Sequence, residues 1–152
     1  MTAGVGHLLR RAFGSLSNRG PDDESLAVVA SVLSAGEFAL WRRMPGRDQR
    51  HSIVVLRRFD EFLPAATSPE RAAALLHDVG KTVSSLGWTM RVIATLAGPL
   101  GRRFSARFRE YHEHEEIGAR MLAAVSDERT VVLVGGLASD AVAAALRRAD
   151  DV

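Results

Sequence analysis

Apolar residues recur at helical spacing along most of this chain, and the runs they form are bounded by cap and turn residues. Val, Ile and Thr gather into something like an alternating strand only at Thr130 to Val134, and Gly135-Gly136 cuts that run short. An all-α fold follows. Helices are expected at His7 to Leu16, from Asp22-Asp23-Glu24 to about Leu33, at Glu37 to Arg43, and at Gln49 to Phe62. The last of these places His51, Val54, Val55, Arg58 and Phe62 on one side. After Pro64, Ser68 reads as an N-cap with Pro69 in the first helical position, opening a helix from Glu70 to about Val79 that Gly80 ends. Further helices are expected at Thr82 to Ala97, Gly101 to Tyr111, Glu113 to Val125 and Ser139 to Asp150, the last capped by Ser139 or Asp140. Residues 1–46 read as an N-terminal helical extension packed on a core formed by residues 47–152, in one structural unit of 152 residues.

The chain has no cysteine, which excludes disulfides, zinc-thiolate sites and thiol nucleophiles. Any bound metal is left to His and carboxylates. The formal net charge is only +2, and Lys81 is the only lysine among the basic residues. The arginines are not interleaved with aromatic residues as in a single-strand binding groove, so no nucleic-acid partner is expected. The first twenty residues lack the apolar core of a secretory signal. The most apolar stretch, Val92 to Leu100, is too short for a bilayer and is flanked by Arg91 and Arg102-Arg103. A cytoplasmic protein without a membrane partner is the expectation. The apolar N-terminal helices leave room for a homodimer.

Four of the five histidines, His51, His77, His112 and His114, fall in the middle of the chain. Between His51 and His77 there is room for a helix, a turn and a returning helix, so the two can meet in space. His77 and Asp78 are adjacent, about 100° apart on a helix, and at its C-terminal end both can reach one ion. The dipeptide alone means little, since about 0.3 His-Asp pairs are expected by chance in a chain of this composition. Its setting says more.

The run Ala72-Ala73-Ala74-Leu75-Leu76-His77-Asp78-Val79-Gly80-Lys81 resembles the signature of the HD-domain phosphohydrolase superfamily, an apolar helix ending in His-Asp-x-Gly-Lys. His51 falls where that family has its first ligand. His114-Glu115-Glu116-Ile117-Gly118-Ala119 resembles its His-Glu-x-x-Gly-Ala element, and Leu146-Arg147-Arg148-Ala149-Asp150 is similar to the terminal helix whose Asp is the last ligand. The resemblance covers about residues 48 to 152, with the elements in the family's order. It implies an HD-like helical bundle carrying extra N-terminal helices, with His51, His77, Asp78 and Asp150 around one divalent cation (Mn, Mg, Co, Fe, Ni or Zn). No histidine follows His114, which argues for a single ion. Asp151, next to Asp150, and Asp140 compete for the last ligand position.

The implied function is a metal-dependent phosphohydrolase acting on a small phosphorylated molecule, a nucleotide or nucleotide-derived phosphate ester first among them. An ion with open positions acidifies water and stabilises charge on the transferring phosphoryl group. Asp78 can orient or deprotonate the attacking water, Lys81 can hold phosphate as a point charge, and His114 can protonate the leaving oxygen. The alternative is a non-catalytic module that keeps the fold and the metal and senses a ligand. Trp41 and Trp88 read as core residues, and His7 as unrelated to the site.

Overall fold

At most of the described helix starts a side chain accepts from the backbone. Asp22 Oδ1 accepts from Ser25 N at 2.9 Å and opens helix α1, Asp23–Val32. Ser34 and Glu37 form a reciprocal capping box, with Glu37 Oε2 accepting from Ser34 N at 2.8 Å, so α2 spans Ala35–Trp41. The Ser34-Ala35-Gly36 stretch, which reads as a loosening of the chain, is thus a helix start. Helix α3, Gly46–Phe62, begins three residues before the expected Gln49. Helix α4, Ser68–Leu76, is capped by Thr67 rather than Ser68, with Glu70 Oε2 accepting from Thr67 N at 2.9 Å. Each such cap contributes about 1 kcal/mol.

The computed structural model describes residues 19–82 and 114–151. The helices expected at 7–16 and 101–111, and all of the one at 82–97 except Thr82, lie outside the described residues, as do His7, Trp88 and His112. Residues 114–122 form α5. Asp127 caps α6, Glu128–Val134, and Asp140 caps α7, Ala141–Asp150. No strand occurs among the described residues. The strand-like Thr130 to Val134 is helical. It ends at Gly135 and Gly136, the latter at φ +66°, with Gly136 N bonded to Leu133 O at 3.2 Å and Leu137 N to Val132 O at 3.0 Å. That is the Schellman pattern, and it needs a residue that accepts the left-handed conformation.

Helix α4 is the hub. Ala72 to Leu76 are all buried, and α4 packs on α3, α6, α1 and α2. Helix α3 also packs along α7. Its buried residues are Gln49, Ser52, Ile53, Val55, Leu56 and Phe59; Val54, expected on the inward side, is 42 % exposed. Trp41 is fully buried and its Nε1 donates to Ser52 Oγ at 2.9 Å, which satisfies the one polar atom of the indole. Val29, Leu33, Trp41 and Met44 belong to the same apolar cluster as α3, α4 and α7. Among the described residues, no helix is long and apolar enough to cross a membrane.

Candidate metal centre

Packing of α3 against both α4 and α7 brings three distant residues to one place. His51 lies on α3, His77 is the C-cap of α4, and Asp150 is the last residue of α7. His51 Nε2 donates to Asp150 Oδ1 at 2.9 Å. His77 Nε2 is 3.2 Å from the same oxygen, close enough for an ion pair. The two imidazoles meet edge to face with centroids 5.6 Å apart. One ligand atom from each of the three residues lies within 4.8 Å of the others. Atoms bound to one ion at about 2.0–2.2 Å sit roughly 3 Å apart, so the observed spacing fits a divalent cation.

The hydrogen bonding of His77 adds to the fit. Its Nδ1 donates to the Ala74 carbonyl at 3.0 Å, and a carbonyl can only accept. In the neutral ring the lone pair must therefore be on Nε2. That atom is buried and makes no hydrogen bond among the described residues. Its nearest polar neighbours are acceptors, Asp150 Oδ1 at 3.2 Å and Asp78 Oδ2 at 3.6 Å. A lone pair facing two carboxylates needs a proton or a cation between them. Backing of the other ring nitrogen by a carbonyl is the arrangement that orients metal-binding imidazoles.

Without metal, the surroundings favour a proton there. Burial is the largest influence on His77 and works against the imidazolium, yet Asp150, Asp78 and the Ala74 carbonyl together hold its pKa above the ordinary histidine value. The Asp150 carboxyl is held far below the usual carboxylate range, by the His51 hydrogen bond first and by His77 second. Both shifts have one origin, two imidazoles placed against a single carboxylate.

Asp78 stands one step back from this cluster. Its Oδ2 accepts from Lys81 Nζ at 2.6 Å, within a 3₁₀ turn, Val79–Thr82, that follows α4. The expected helix to Val79 thus stops at Leu76. Gly80 does not end it by a left-handed conformation, since among the described residues only Gly136 has positive φ. Gly80 instead permits backbone contact with α5. A Cβ there would overlap the His114 carbonyl oxygen and come within 2.8 Å of Gly118 N. The glycines of the His-Asp-x-Gly and His-Glu-x-x-Gly elements therefore lie against each other.

The same contact sets His114 at the edge of a cleft of about 300 Å³, together with His77, Asp78, Lys81 and Asp150. Leu133, Val134, Ala143 and Leu146 give it an apolar wall. Its size is at the lower end for small-molecule sites.

Of the residues expected at the site, His51, His77 and Asp150 come together, Asp78 and Lys81 adjoin them as an ion pair, and His114 lines the cleft. Asp151 is the C-cap of α7, and its carbonyl lies 3.4 Å from Arg58 Nη1. Asp140 is 2.8 Å from Arg129 Nη1. Neither of these competitors joins the cluster. The arrangement adds Arg147, a cleft residue to which sequence reasoning assigned no role. Its spacing of three from Asp150, which puts both on adjoining parts of one helix surface, was the available signal. Compared with protein-family models, with curated proteins and with solved structures, the chain finds no match.

Proposed function

We propose that this chain is a metal-dependent phosphohydrolase of the HD-domain kind, acting on a small phosphorylated molecule, foremost a nucleotide or nucleotide-derived phosphate ester. The observation that carries the reading is the buried His77 Nε2, without a hydrogen bond and facing two carboxylates beside His51. His51, His77 and Asp150 would hold a divalent ion, with Asp78 as the adjoining carboxylate. Bound there, such an ion supplies Lewis acidity toward the phosphoryl oxygens and toward water. Asp78 accepts the proton of the attacking water. Lys81 orients Asp78 and adds positive charge to the cleft. His114 gives a proton to the leaving oxygen.

The Asp78–Lys81 pair also favours a second reading. A carboxylate held at 2.6 Å by an ammonium is a poor base, which suits a module that binds metal and ligand without turnover. Elemental analysis of the purified protein, followed by phosphate release from an aryl phosphate and a nucleotide panel with Mn, Co or Mg, separates the two. Bound metal with turnover is expected; bound metal without turnover selects the sensing module. His77→Ala combined with Asp78→Ala is expected to abolish metal binding and activity together, and retained phosphate release in that variant sinks the reading.

A further inference from the structure

Arg147 and Arg148 are neighbours in sequence with different surroundings. The Arg148 guanidinium sits 4.1 Å from the centroid of the Phe62 ring. Arg147 lines the cleft, and its side chain makes no hydrogen bond or ion pair among the described residues. It is one turn from Asp150 on α7, a separation that puts the two residues about 5–6 Å apart at Cβ. Arg147, His77 and Asp150 line the same cleft, so an anion bound there shares it with this guanidinium. The apolar wall begins beside it, with Ala143 and Leu146 on the same helix and Leu133 and Val134 on α6.

We infer that Arg147 is the specificity-determining residue of this cleft, and that it selects phosphomonoesters over phosphodiesters. This rests on the metal site and on the phosphohydrolase reading above. A monoester near neutral pH carries close to two negative charges on three terminal oxygens. One oxygen can face the cluster while the other two meet the planar fork of a guanidinium, the geometry arginine matches best. A diester has one charge and two terminal oxygens, so facing the cluster leaves a single oxygen for Arg147. The compact organic group of the ester then lies on the Leu133, Val134 and Leu146 wall. Among nucleotides, this selects a terminal monophosphate over a cyclic or internal diester.

The test uses binding rather than turnover. Metal-loaded protein is titrated calorimetrically, slightly above neutral pH, with inorganic phosphate and with dimethyl phosphate. Wild type is expected to bind phosphate at least about tenfold more tightly than dimethyl phosphate. Arg147→Ala should lose roughly tenfold or more for phosphate and about twofold or less for dimethyl phosphate, at unchanged metal content. Arg147→Lys should recover part of the loss, because it restores the charge and not the fork. Unchanged phosphate affinity in Arg147→Ala, or equal affinity of wild type for the two anions, overturns the inference and leaves the proposed function standing. A metal-loaded wild type that binds no phosphate, or a wild type that takes up no metal, overturns both.

Discussion

Helices α4 and α7 both begin near Arg129 and both finish at the candidate metal cluster, and their two ends are built on opposite principles. At the start, Arg129 Nη2 is 3.1 Å from Glu70 Oε1 and its Nη1 is 2.8 Å from Asp140 Oδ2, so one guanidinium ties the capping residues of both helices. Thr130 Oγ1 donates to the Pro69 carbonyl at 2.9 Å alongside. Charges there are matched and hydrogen bonds are made. At the finish, the buried His77 Nε2 lies 3.2 and 3.6 Å from two carboxylate oxygens without a hydrogen bond among the described residues, and two imidazoles converge on one carboxylate oxygen. The capped end fixes the register of the two helices. The open end holds the candidate metal ligands.

The contrast breaks first, and most visibly, at His77. His77→Gln keeps a donor for the neighbouring carboxylates and removes the ligand. Metal affinity is expected to fall by about 100-fold or more, while the unfolding free energy of the metal-free protein changes by less than about 1 kcal/mol. Equal loss of stability and of metal would mean that the cluster is ordinary core. Gly80→Ala is next. The new methyl group meets backbone on α5, which cannot turn aside as a side chain can, and about 2–3 kcal/mol of stability should go, read from denaturant midpoints. Arg129→Ala tests the capped end. It should cost about 1 kcal/mol of stability, since its partners are partly solvated, and move the metal dissociation constant by no more than about twofold. A large change in metal affinity there would show that the two ends are coupled.

Much of this was legible in the sequence because the signals were local. The apolar spacing of α3, α4 and α7, with Pro64, Pro69, Asp140 and Gly135 as punctuation, placed most of the described helices to within a few residues. Convergence of His51, His77 and Asp150 followed from motif order, not from any distance the chain states. What stayed hidden is what neighbours in space decide. Thr130 to Val134 is β-branched enough to suggest a strand, yet the Asp127 cap, the two glycines and packing on α4 override a propensity worth only tenths of a kcal/mol per residue. Gly80 looks like a helix terminator until α5 is seen against it. On paper Asp151 competes with the preferred Asp150. Helix phase turns one toward His51 and leaves the other's carbonyl to Arg58.

The smallest expected effect, and the most diagnostic of the open end, is the response of the metal-free protein to pH. Asp150 titrates far below its unfolded value of 3.8, so its contribution to stability is present above that value and is lost as pH falls through the depressed one. His77 titrates above its unfolded value of 6.5, so its contribution is complete below that value and is lost as pH rises through the folded one. These two groups together favour the metal-free fold between 3.8 and 6.5 and withdraw support on the alkaline side. A divalent ion bound there would take the place of a proton on His77, and above its folded pKa no proton would have to be displaced. The rise in Tm on adding saturating Mn should therefore be larger at about pH 8 than at about pH 6, while the Tm in chelator falls between the same two points. Thermal scans with and without chelator at both values measure it directly. A metal shift that is equal at the two values, or a metal-free Tm that climbs toward alkaline pH, would mean that the proton on His77 is not holding the place of a cation.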